Sequence, residues 1–448
     1  MVSLRSTLGH GFRALRHRNY RLFAGGQFVS LIGTWMQNVA LGWLVYRMTR
    51  SPFLLGLAGF LGQVPTLFFA PLAGVWADRW NRHRMVIGTQ VLFMIQALLL
   101  AALVLSGRAT IPEILLLSVA SGFVTAVDVP ARQSFMIEMV GDREDLPNAI
   151  ALNSSIFNVA RLVGPSVAGV LIGITGEGVV FLLNGLSYVA VLGALLAIRV
   201  APRPRHGGPP ERVGRHLAEG VRYAFGFAPT RAVLLLLAFV GFVAAPYAVL
   251  MPMFATDVLH GGAHTLGFLV GSIGLGALGG ALFLAVRPSV RGLGMVVVRS
   301  ATAFSVALIL LSVVRREWIA CGVLAVAGFG MMSHLAASNT LLQTLVDHDK
   351  RGRVMSLYAM AMMGTMPVGS LIFGTAAGRI GAPLTVAIGG AATLVAVALF
   401  ARALPRLRAE VHPIYVRLGI LPELAAGVEA SEEPAAAAAA PGGREEKG

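Results

Sequence analysis

Residues 85–127 read MVIGTQVLFMIQALLLAALVLSGRATIPEILLLSVASGFVTAV, and their pattern decides the fold. The first part, 85-106, carries no charged residue and is long enough to cross the roughly 30 Å hydrocarbon core as a helix. A short break at Gly107, Arg108, Ala109 and Thr110 follows, and the apolar character resumes from Ile111. No water reaches backbone groups in hydrocarbon, so each run must close its own hydrogen bonds as a helix. The stretch therefore reads as a membrane hairpin. Working outward, such runs recur at 22-46, 53-76, 85-106, 111-131, 149-174, 178-198, 232-255, 265-286, 293-314, 317-340, 354-378 and 383-401, which predicts twelve spans. The alternating pattern of an outer-membrane barrel is missing.

Composition supports the reading. Of 448 residues 56% are apolar and 13% charged, against roughly 45–50% and about 25% in soluble domains. A net charge of +15 would suit nucleic acid, but the basic residues follow the spans. Of 36 Lys and Arg, one set of alternate loops holds only Arg47, Arg50, Arg108, Arg315, Arg316 and Arg379. Arg161 and Arg299 lie inside spans, and all others fall on the opposite side. The positive-inside rule then puts both termini in the cytoplasm, and the basic excess is a topology signal with no nucleic-acid partner implied. Residues 1-21 are basic and polar and precede a run long enough to stay in the membrane, so the first span is expected to be its own insertion signal. The single cysteine, Cys321, excludes an internal disulfide.

The one long internal break, 200-230, is rich in Pro, Gly and Arg, with HLAEGVRYAF able to form a short amphipathic helix. It divides the chain into a first six-helix bundle (1-199), a cytoplasmic linker (200-230), a second bundle (231-403) and a low-complexity tail (404-448), largely disordered by composition. The halves look duplicated. The passage from span four to span five, RQSFMIEMV to RLVGPSVAG, aligns with that from span ten to span eleven, with Pro165 facing Pro367 and Val140 facing Val346. Parallel duplication of this kind places a substrate site between the halves near the bilayer midplane.

After span two comes GVWADRWNRHR, in which Gly74, Asp78, Arg79, Arg82 and Arg84 match the signature G-x-x-x-D-[RK]-x-G-[RK]-[RK] of the major facilitator superfamily. Asn81 stands where glycine is usual, and asparagine tolerates the left-handed turn expected there. The segments D-x-P-x-R-Q (Asp128 to Gln133), L-P-N-A-x-A-L-N (Leu146 to Asn153) and R-G-R-V-M-S (Arg351 to Ser356) resemble the enterobactin-exporter and drug-efflux subgroup. The resemblance implies two bundles working by alternating access, an ion gradient as energy source, and a charge latch of Asp78, the loop arginines, Asp128 and Arg132. Unpaired charges at the hydrocarbon edge are costly, so such a network biases one conformation. A local pair between Asp128 and Arg132 is the competing reading.

Polar residues spaced by three, four and seven share a helix face. Span one carries Gln27, Thr34 and Asn38; span four Ser118, Ser121, Thr125, Asp128 and Arg132; span five Ser154, Asn158, Arg161 and Pro165. Arg161 is the sharpest, since an arginine near mid-membrane costs at least ~2.5 kcal/mol and calls for water, a carboxylate or an anionic substrate. In the second half Tyr247, His334, Asn339 and Gln343 are the cavity candidates, and methionines crowd span eleven, where soft side chains suit variable amphipathic substrates. Gly274 to Gly279 fit G-x-G-x-x-G but lie inside an apolar span without a preceding strand, so they read as helix packing. No Walker A, H-E-x-x-H, nucleophile-elbow or metal-cysteine pattern occurs.

The sequence thus predicts an all-α, multi-pass protein of the cytoplasmic (inner) membrane, with both termini inside. It is expected to move a small amphipathic molecule outward, siderophore or drug-like, with a proton or other coupling ion. The expected partners are that small-molecule substrate and the lipid bilayer, with no cofactor, no metal and no catalytic residues. An importer or lysophospholipid carrier of the same fold is the alternative, and a non-transporting membrane scaffold a remoter one.

Overall fold

A computed structural model describes residues 13–140, 144–199, 213–287, 289–347, 350–418 and 420. Among them, twelve helices are long and apolar enough to cross a membrane. In the first half these are α1 (Arg18–Thr49), α2 (Pro52–Arg79), α3 (Arg82–Leu105), α4 (Ile111–Met139), α5 (Leu146–Thr175) and α6 (Glu177–Ala197). In the second they are α7 (Ala228–Val258), α8 (Ala263–Ala285), α9 (Leu293–Val313), α10 (Glu317–Leu345), α11 (Arg351–Ile380) and α12 (Ala382–Arg417).

Local sequence explains where the helices start. Ser51 precedes Pro52, and its hydroxyl accepts from the Leu54 N–H at 3.3 Å. Thr110 and Glu113 form a capping box at the start of α4. Gly176 and Gly381 join α5 to α6 and α11 to α12 with φ of 82° and 84°, a backbone that side chains disfavour. The same turn thus recurs at the matching place in each half.

Packing repeats as well. α1 packs on α6 and α5, α2 on α4, and α3 on α4 and α6; in the second half α7 packs on α12 and α11, α8 on α10, and α9 on α10 and α12. The halves meet through two related pairs, α2 with α11 and α5 with α8. A Cβ on Gly169 would lie 2.8 Å from the Gly267 Cα, and one on Gly56 would strike the backbone of Ser370 and Gly374. Small residues thus let the backbones of the seam touch at the end away from the termini, here the loop end.

Three elements depart from the sequence reading. α4 continues through Pro130 to Met139, because a proline-freed carbonyl in a bundle finds other company. α12 runs to Arg417, well past Leu404 where the tail was expected to begin, with Leu404, Leu407 and Val411 buried on one face. Residues 421–448 lie outside the described residues. The linker helix, Val213–Gly226, docks on the second half: Arg353 pairs with Glu219 at 3.0 Å, and the Tyr223 hydroxyl donates to Asp347 at 3.1 Å.

Candidate functional site

The first-half stripe is a satisfied web with one opening. Gln37 of α1 donates to Gln96 of α3 at 2.9 Å and accepts from Asn184 of α6 at 2.8 Å. Thr34 donates to the Ser30 carbonyl and meets the Tyr188 hydroxyl at 3.3 Å, with Phe93 stacked on that ring. Gln27 is buried and its Oε1 has no partner. Asn38 is exposed although it lies one turn before Gly42, which faces Pro252 of α7, and two before Tyr46, which meets Asp257. It therefore looks into the space between the halves.

At the other end of the first half the loop motif is partly visible. The side chains of Asp78 and Arg79, and position Gly74, lie outside the described residues. Asn81 does not adopt the expected left-handed turn. It sits at φ −72° and caps α3, its Oδ1 accepting from the Arg84 N–H at 3.0 Å. The Arg84 side chain is exposed. Arg82 pairs at 2.7 Å with Glu138, an acid the sequence reading passed over because it stands beyond the predicted end of span four. Asp128 is buried and takes Thr89 at 2.7 Å, Gln90 at 2.8 Å and Arg132 at 3.1 Å. Thr125, on the same face, bonds back to the Ser121 carbonyl.

Arg161 stands at the midpoint of the 30-residue α5. Pro165 lacks the N–H that would bind the Arg161 carbonyl, and that carbonyl faces α8, where a Cβ on Gly274 would lie 2.7 Å away. The guanidinium is half-buried and, among the described residues, has neither a hydrogen bond nor a carboxylate partner. Its electrostatic neighbour is Tyr247, buried in the 3₁₀ segment Ala245–Leu250 of α7, edge-on to Phe304 at 5.7 Å. Asn158, one turn earlier, is buried and bonded to the Ser154 carbonyl at 2.8 Å. The fold thus brings Arg161 and Tyr247 together across the seam, from residues far apart in sequence.

The remaining second-half candidates divide. Gln343 donates to Asn339 on one face of α10, and Tyr358 of α11 donates to the adjacent Leu335 carbonyl at 3.3 Å. His334, expected with them on the cavity, is buried against Val297 of α9, a helix that packs on α10 and α12 and not on the seam. α11 breaks at Gly364 into Arg351–Met363 and Thr365–Ile380, with Met360 exposed beside the break.

A lock at the loop end was not foreseen. The Tyr46 hydroxyl of α1 donates to Asp257 of α7, which Arg50 also reaches at 3.3 Å. Arg47 clamps Glu177 within the first half at 2.7 and 3.2 Å. The signal was the lone acid Asp257 in a span end facing a loop rich in arginine, legible only once α1 and α7 were known to touch.

A family model described as transmembrane secretion effector matches residues 10–418. The staphyloferrin A transporter of Staphylococcus aureus is 26% identical over 388 residues, covering 85% of this chain and 95% of that protein. The macrolide efflux protein A of Streptococcus pyogenes is 24% identical, with 81% and 90% covered. The enterobactin exporter of Shigella boydii is 26% identical, with 80% and 85% covered. In fold the chain is similar to the nucleoside transporter NupG (TM-score 0.66, 12% identity, 87% and 99% covered) and to a D-xylose-proton symporter (TM-score 0.67, 14%, 86% and 96%).

Proposed function

The chain belongs to the transmembrane secretion effector family and is a transporter of the major facilitator type; from that premise we propose that it exports a small amphipathic molecule bearing an anionic group. The unpaired Arg161 guanidinium beside Tyr247 carries this reading. A mid-membrane cation without a carboxylate is costly unless water or an anion meets it. The names of its relatives, carriers of siderophores and a macrolide, point to the same size class. The exposed Asn38 and the methionines near the α11 break supply adaptable walls. Transport runs by alternating access, with both termini cytoplasmic as the basic residues direct, and an ion gradient drives it.

Arg161 is tested by affinity on purified, monodisperse protein, with the polycarboxylate staphyloferrin A as the probe. Arg161→Lys keeps a point charge and part of the affinity, whereas Arg161→Gln loses most of it because the fork is gone. Wild-type affinity in Arg161→Gln sinks the reading. The signature loop acts as a latch at the terminal end, with Asp78 and Asp128 as its acids. Unchanged transport rates in Asp78→Asn and Asp128→Asn together would remove that role.

A further inference from the structure

We propose that His334, with the hydroxyls of Ser333 and Ser338, is the proton-binding site that couples transport to the ion gradient. This inference rests on the ion-driven reading above. The hydroxyls of Ser333 and Ser338 have no hydrogen-bond partner, the imidazole of His334 meets only the Val297 backbone of α9, and all three residues are at most 1% exposed. A neutral imidazole always carries one donor and one acceptor, and each buried group left unmade costs about 1–3 kcal/mol. Three such side chains within six positions of one helix are hard to account for as packing.

They sit where α10 is pinned to both neighbours. A Cβ on Gly330 would lie 2.6 Å from the Ser300 carbonyl of α9, and one on Gly280 of α8 would lie 2.8 Å from the Ser333 hydroxyl. The helices packed on α10 bring few charges near. α8 has only His264, at its loop end; α9 has Arg299, exposed on its outer side. α7 has Arg231 and Asp257 at opposite ends, and Tyr247 is engaged at the seam. α11 has Tyr358, donating to the Leu335 carbonyl, with Arg351, Arg353 and Arg379 at its ends, and Glu317 heads α10 itself. Among the buried groups of α10 and the helices packed on it, His334 is therefore the one whose ordinary titration range spans neutrality.

The conformation described is closed at the loop end and sets only the Val297 backbone against the ring, which leaves the second N–H of an imidazolium without an acceptor. A conformation that parts α9 from α10 and admits water gives both N–H groups acceptors, with the serine oxygens among them. The proton is taken from water in one conformation and returned to water in the other. Acidification should then open the loop end.

Spin labels at Arg108→Cys and Arg315→Cys, on a Cys321→Ala background, report the loop-end distance in liposomes without substrate. Between pH 8 and pH 5.5 ordinary carboxylates stay charged. Over that range the open fraction is expected to rise in otherwise wild-type protein and in His260→Gln, His264→Gln and His412→Gln. It should be flat in His334→Gln and His334→Asn, which keep an amide donor and acceptor but cannot titrate. A merely structural histidine would shift the distance at every pH and keep the slope. A pH response that survives in either His334 variant, or is lost in the controls instead, overturns the proposal. A pH-insensitive wild type overturns it too, while the Arg161 affinities judge the export reading separately.

Discussion

The two bundles share a packing plan but treat their polar residues in opposite ways. In the first, Gln37, Gln96 and Asn184 satisfy one another across three helices, Asp128 holds Thr89, Gln90 and Arg132, and Gln27 keeps one buried oxygen without a partner. In the second, Thr230, Ser333, His334, Ser338 and Thr393 are buried with side-chain atoms that have no partner. Helix continuity differs too: α5 runs unbroken through Pro165, whereas its counterpart α11 divides at Gly364, ahead of Pro367, and α7 passes through 3₁₀ and π turns. Buried networks fix one arrangement; breaks and unmade bonds leave an element able to exchange arrangements. The difference assigns the first bundle the part of a rigid frame and the second the part that moves.

The comparison breaks most readily at Asp128. Asp128→Leu strands Arg132 and the buried Gln90 amide, while Thr89 keeps the Val86 carbonyl, and is expected to cost about 3–5 kcal/mol. Thr393→Val, in the second bundle, removes a hydroxyl that bonds nothing and should be neutral or stabilising. Thermal unfolding of both variants in one detergent measures the contrast. Equal losses would mean that the bundles do not differ.

Gln37→Leu tests the frame at its centre. It leaves Gln96 and Asn184 each short of a partner and should cost about 1–3 kcal/mol, visible as a lower midpoint in the same melt. An unchanged midpoint would show the web to be incidental.

The moving part is probed at the α11 break. A Cβ on Gly364 would lie 3.0 Å from the Leu67 side chain across the seam, so Gly364→Ala should slow transport several-fold, about 1 kcal/mol in the barrier. Gly352→Ala, whose Cβ meets nothing within 4 Å in the same helix, should leave the rate alone. Matching rates in the two variants would remove the break from the mechanism.

The smallest effect belongs to the linker. Arg353→Gln removes its partly exposed pair with Glu219, worth at most about 1 kcal/mol. Limited proteolysis should then cut near residue 213 faster, with unfolding of the bundles unaltered. Unchanged cleavage would mean that the Arg353–Glu219 pair does not hold the helix.

Much of this was legible in the chain itself. The twelve spans, their division and the duplication follow from apolar runs, one Pro- and Gly-rich break and matched prolines, because span length and backbone satisfaction in lipid are local demands. Arg161 was legible for the same reason, as an isolated charge at a depth that sequence position fixes. Partnership was not. Glu138, Glu177 and Asp257 lay at span ends where an acid draws no notice, and their roles depend on which helix end arrives opposite. Helical periodicity placed His334 on a polar stripe, but α10 has neighbours on several sides, and only packing decides which stripe meets the seam and which meets α9. Asn81 fitted a turn by residue type and proved to be a cap, since φ is set by where α3 begins. The sequence by itself determined which segments cross the membrane. Tertiary structure alone decided which polar groups meet, because that depends on the rotation and register of each helix against neighbours far away in the chain.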